Sequence, residues 1–133
     1  PFWGNLHHVQ SWWEYRHLNN ILFIHFNDLR NNLSREVQRI AGFLEIDIPT
    51  KALPKLMQAL TLDAMRSDHG KHAADNYQAF KEGAKTFFFK GTNGRWKDVL
   101  SPEELVLYEQ AVERVLTPEC AGWLEQGRVA LAE

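Results

Sequence analysis

The run Ile21 to Phe26 (ILFIHF) constrains this chain more than any other stretch. Branched and aromatic side chains follow one another with a single histidine among them, bounded by Asn20 and Asn27, a pattern that predicts a strand buried on both faces. No other stretch reads as a strand. A strand needs neighbours for its amides and carbonyls, and a doubly buried parallel strand needs one on each side. One strand cannot make a sheet. The expectation is therefore that the missing strands lie in sequence beyond these residues, or that another copy of the chain satisfies the edge.

The rest reads as helix and loop. Leu6 to His17 spaces Leu6, Val9 and Trp12 or Trp13 as an amphipathic helix, which Leu18, Asn19 and Asn20 break. From Leu33 to Leu44, Leu33, Val37, Ile40, Ala41 and Leu44 form an apolar stripe, with Arg35, Glu36 and Arg39 assigned to the solvent side. Thr50 is expected to cap a helix to Leu60 that Pro54 loosens, and Thr61 to cap a short turn through Met65. Ser67 to Thr86 is polar and without periodicity, the pattern of a long loop. Ser101, Pro102 and Glu104 form a capping box at the start of another helix, and Thr117 and Pro118 restart a last one that Gly127 ends.

With 133 residues and a net charge of -2, the chain is sized for one core and has no general basic field, which disfavours nucleic acid as a partner. The single cysteine, Cys120, allows no internal disulfide and fits a reducing cytoplasm. No apolar run approaches the roughly 18 residues of a membrane span. Pro1, Phe2 and Trp3 read as the middle of a folded protein, so a longer parent chain is expected.

Chemistry concentrates at Phe87 to Lys97 (FFFKGTNGRWK). Gly91 and Gly94 flank Thr92 and Asn93, so the backbone there can take positive φ and approach a bound group closely. With Lys90 as a mobile charge, and a helical turn beginning in GRWKD, the stretch is suited to receive a phosphate. A surface turn with a solvated lysine is the plainer reading. His69 and His72 beside Asp68 have metal-ligand spacing but no second pair, and a solvated loop explains them equally well. His25 is expected to be a hydrogen-bonded core residue rather than a base. Trp12, Trp13, Trp96 and Trp123 are expected to anchor the core, and Cys120 to be a small packed residue.

In this order the pieces resemble the C-terminal half of the sulfotransferases that use 3′-phosphoadenosine 5′-phosphosulfate (PAPS). The match rests on VQSWWEYRHLNNILFIHFNDLRNNLSREVQRIAGFLEI, on LTLDAMR from Leu60 to Arg66, and on FFFKGTNGRWKDVLSPEE, which is close to the family signature Arg-Lys-Gly-x-x-Gly-Asp-Trp-Lys. The resemblance implies an α/β, P-loop NTPase-like sulfotransferase fold, with residues 1–133 as its C-terminal portion, mostly helical with one core strand. It implies PAPS as cofactor and a small-molecule or lipid hydroxyl as acceptor, with glycolipid, phenol and alcohol all open. It also implies a bacterial-type, cytoplasmic enzyme.

Carried over residue by residue, the resemblance puts Lys90 and the Gly91 amide on the nucleotide's 3′-phosphate. Phe89 stands where an arginine is usual, which removes a bidentate guanidinium that Arg95 or Lys97 would have to replace. Phe26 matches a tyrosine near the adenine, Thr61 and Leu62 match a serine and a phenylalanine beside it, and Phe87 and Phe88 match apolar residues of the same pocket. The family's Lys-Ser-Gly-Thr-Thr-Trp loop and catalytic histidine have no counterpart here, so no catalytic residue is assigned and the isolated chain is expected to be inactive. The alternative is a non-catalytic helical module of the same fold that binds partners or forms a homodimer through its exposed strand.

Overall fold

The computed structural model describes residues 4–67, 81 and 91–131. The chain divides into two units, Pro1–Ile46 with Arg95–Glu133, and Asp47–Gly94.

In the first unit, α1 (Gly4–Trp13) ends in tight turns rather than continuing to His17. It packs against α6 (Pro102–Val115) and α7 (Pro118–Gln126). Both later helices begin as their sequence requires. The Ser101 side chain accepts from the Glu104 amide while the Glu104 carboxylate accepts from the Ser101 amide, a complete capping box with Pro102 in the first turn. Thr117 accepts from the Cys120 amide, and Gly127 ends α7 at φ 80°. The core between the three helices holds Trp13, Val112, Leu116, Cys120 and Trp123, with Leu6, Val9 and Phe23 packed on it. Trp13 and Trp123 are thus the anchors expected of them, whereas Trp12 and Trp96 are about half exposed, at 48% and 50%. Burial pushes the Cys120 thiol above its ordinary range, with smaller opposing effects from Arg16 and Glu119.

The predicted strand does not form. Among the described residues there is no strand; residues 21–25 are an irregular, half-buried connector, and Phe26 opens α2 (Phe26–Asn31). Local pattern favours extension here, but a ladder needs a second strand to receive its hydrogen bonds. Among the described residues, Leu22 and Ile24 make no main-chain hydrogen bond, and the Phe23 carbonyl accepts instead from the Arg39 guanidinium at 2.8 Å.

Helix α3 (Leu33–Phe43) follows, capped by the Asn32 side chain on the Arg35 amide. It closes in a Schellman turn: the Ile46 amide donates to the Ala41 carbonyl at 2.9 Å, the Glu45 amide to Gly42 at 3.2 Å, and Glu45 carries φ 56°. Glu36 is not on a solvated stripe as expected. It is fully buried, and Arg39 is largely so.

In the second unit, α4 (Leu53–Ala59) starts later than expected, after Ala52, and Thr50 does not cap it. Pro54 falls in its first turn, where a missing amide costs no hydrogen bond, so it helps start the helix instead of loosening it. Helix α5 (Leu62–Ser67) follows and packs on α4. The expected loop Ser67 to Thr86 lies, apart from Ser67 and Lys81, outside the described residues, as do His69 and His72.

Candidate functional site

Three of the sequence-predicted nucleotide residues fall in the described part of the second unit. Thr61 precedes α5 and caps it: its hydroxyl accepts from the Ala64 amide at 3.2 Å and donates to the Gln58 carbonyl at 2.9 Å. That engagement ties the hydroxyl to the end of α4 and the start of α5; the next residue, Leu62, is half buried. Gly91 sits directly against Leu62. Its φ is +58°, and a Cβ built there would lie 2.8 Å from Leu62 Cδ2, so positive φ and close approach both favour glycine. Gly94 also has positive φ, as its spacing predicted. Two residues expected at one nucleotide, far apart in sequence, therefore meet. Phe87, Phe88, Phe89 and Lys90 lie outside the described residues.

After the glycines, Arg95–Asp98 forms a 3-10 turn in the first unit, where GRWKD was expected to turn helically. Lys97 stands over the Trp96 ring, 5.5 Å from its centroid.

Phe26, the remaining candidate, is in the first unit at the start of α2 and is 49% exposed. An aromatic half in solvent would ordinarily move, yet this one stands on a heavily tied base. His25 accepts the Asn27 amide on Nδ1 at 3.0 Å, which leaves the proton on Nε2 to donate to the Leu124 carbonyl at 2.9 Å. The Asn27 side-chain amide donates to the Glu125 carbonyl at 3.2 Å. These carbonyls belong to the last turn of α7, where no intrahelical donor remains. His25 is thus the hydrogen-bonded, partly buried residue expected from its apolar surroundings, its ring also set edge-on to Trp123.

Below α2 lies a charged cluster that sequence reasoning missed. The buried Glu36 carboxylate accepts from Arg39 at 2.9 Å on one oxygen and from the Arg128 guanidinium on the other. The Arg128 amide donates to both Asp28 oxygens, at 3.1 and 3.3 Å, and its Nε lies 3.5 Å from Asp28 Oδ2. Gly127 makes this approach feasible, because a Cβ there would lie 2.8 Å from Asp28 Oδ1 and 3.0 Å from His25 Nδ1. The only local signal was an acid and a base three residues apart on α3, which occurs equally on solvated helix faces.

Beside the connector, His8, Val9, Trp12, Ile21 to Ile24 and Trp123 line an open, mainly apolar depression of about 360 Å³. No group of three or more potential metal ligands occurs among the described residues. No helix there is long and apolar enough to cross a membrane.

The arrangement has known counterparts. The mouse sulfotransferase SULT7A1, solved in complex with PAP, shares the fold with a TM-score of 0.73 at 22% identity, over 91% of this chain and 44% of that one. Residues 2–118 match the family described as Sulfotransferase domain, and the chain belongs to that family. A glycolipid sulfotransferase of Mycobacterium bovis is 29% identical over 92% of this chain, and sulfotransferase 1B1 of dog is 32% identical over 72%. The chain spans 38% and 32% of the lengths of these two relatives.

Proposed function

We propose that this chain is the C-terminal, nucleotide-holding part of an enzyme that moves a sulfuryl group from PAPS to an acceptor hydroxyl. The observation that carries the reading is the seat of Gly91 against Leu62, a close main-chain approach at a loop whose sequence is suited to phosphate. The residues present fit the nucleotide end of the donor. Gly91 offers an amide free of side-chain bulk, Leu62 an apolar surface for the base, and Phe26 an exposed ring. Lys90 adds the charge for the 3′-phosphate. Bound PAPS would supply the activated sulfuryl group. In-line transfer also needs a base for the acceptor proton and donors for the charge that develops, and none of the residues assigned here has either role.

The apolar depression along Ile21 to Ile24, with the open main chain of Leu22 and Ile24, supports a further part of the reading: these residues take up strand geometry against sheet strands of a complete, P-loop-like domain. A hydroxyl-bearing small molecule or lipid is the proposed acceptor.

The test is calorimetry with 3′-phosphoadenosine 5′-phosphate (PAP) on the natural full-length polypeptide. Lys90→Ala should weaken binding by about 1.5–3 kcal/mol, the scale of a charge-assisted hydrogen bond. Unchanged affinity would remove Lys90 from the site, and no binding by the unaltered protein would end the sulfonation reading.

A further inference from the structure

We infer that Glu36 is a positioning residue for nucleotide binding: through Arg39 and Arg128 it fixes the turn that presents Phe26. The inference rests on the reading of Phe26 as an adenine-side residue.

The turn is held at both ends from one carboxylate. Upstream of Phe26, Arg39 bonds Glu36 and donates to the Phe23 carbonyl at 2.8 Å. Downstream, the Arg128 guanidinium bonds the other oxygen of Glu36, and the Arg128 amide holds the Asp28 carboxylate, which also lies 3.5 Å from Nε. Phe26 lies between these tethers, and His25 and Asn27 on either side of it are pinned to the end of α7. Glu36 is 0% exposed, and an acid so placed is a poor means of stabilising a fold, because an apolar side chain of similar volume commonly serves as well. What the acid provides is direction. Two planar guanidinium groups on opposite oxygens admit few arrangements; Arg39 passes its orientation directly to the main chain of the turn, at the Phe23 carbonyl, while Arg128 reaches the turn through the Asp28 carboxylate. A ring half in solvent gains most from such a base, since ordering it on binding would otherwise cost affinity.

Glu36→Gln in the full-length polypeptide tests this, with PAP and with ribose 3,5-bisphosphate, which lacks the base, as probes. PAP should bind on the order of tenfold more weakly, the scale of a loosened contact between a base and an aromatic ring, while the base-free probe is unaffected. In a Phe26→Ala background, Glu36→Gln should add little, because the two changes remove the same contact. Equal losses for both probes, or full additivity with Phe26→Ala, would reduce Glu36 to a stability role and overturn the inference. So would unchanged PAP affinity. Should Glu36→Gln fail to fold, Arg39→Lys decides by the same two probes, since it keeps the charge and loses the forked geometry. Failure of the unaltered protein to bind PAP would overturn the functional reading itself, an outcome distinct from a variant that binds as well as its parent.

Discussion

The aromatic cluster around Trp123 and the charged cluster around Glu36 meet at Phe23, whose ring joins the first and whose carbonyl is held by the second. In the aromatic cluster Trp13, Phe23 and Trp123 lie 5.2 to 5.5 Å apart, two of the three contacts edge-on. Each such contact adds about 0.5–1.5 kcal/mol beyond the area it buries, and small rotations cost little. The charged cluster behaves otherwise. Its bonds have fixed directions, and losing one partner is worse than losing all, because a lone buried charge has no compensation. One region supplies cohesion and the other supplies register.

That contrast can be broken. Trp123→Ala should cost about 3–5 kcal/mol by chemical denaturation, the range for emptying a large buried aromatic site. Glu36→Ala should cost on the order of 3 kcal/mol, leaving two guanidinium groups without their shared acid. Replacing Glu36, Arg39 and Arg128 together with leucine, leucine and methionine should cost much less than the three single losses summed. If the triple change proves additive, the two clusters do not differ in kind.

A smaller effect sharpens the comparison at the surface. Tyr108 on α6 donates to the Glu125 carboxylate on α7 at 3.3 Å. Burial, then the charge of Glu125, then this bond raise the phenol above its ordinary value of 10.0. The folded state thus favours the protonated phenol. Its contribution is full below about pH 10 and is lost as pH rises through the folded value. Tyrosinate absorbance should show the elevated titration, and Glu125→Ala should bring it down by removing the two lesser causes. An unmoved titration would leave burial alone responsible.

What could be read from sequence follows from range. Ser101 with Glu104, and Thr117 with Pro118, announce helix starts because every participant lies within one turn. Gly91 and Gly94 announce positive φ because a loop of that composition demands it. The strand expected at residues 21–26 is not formed among the described residues, because extension depends on partner strands that no pattern within one segment supplies. Glu36 was misread for the same reason, since its burial is compensated by Arg128, 92 residues later. In the candidate site, the glycine loop and the capped α5 were legible separately, while the contact between Gly91 and Leu62 is tertiary.

The end of α3 carries its own consequence. Glu45 occupies the left-handed seat of a Schellman turn, where a side chain bearing a Cβ is a poor tenant and glycine the natural one. Glu45→Gly should therefore raise the melting temperature, by the equivalent of about 0.5–1 kcal/mol, since relief of the handedness penalty outweighs the added freedom of the unfolded chain. A stabilised background of that kind would let the harsher changes at Trp123 and Glu36 be measured in protein that still folds.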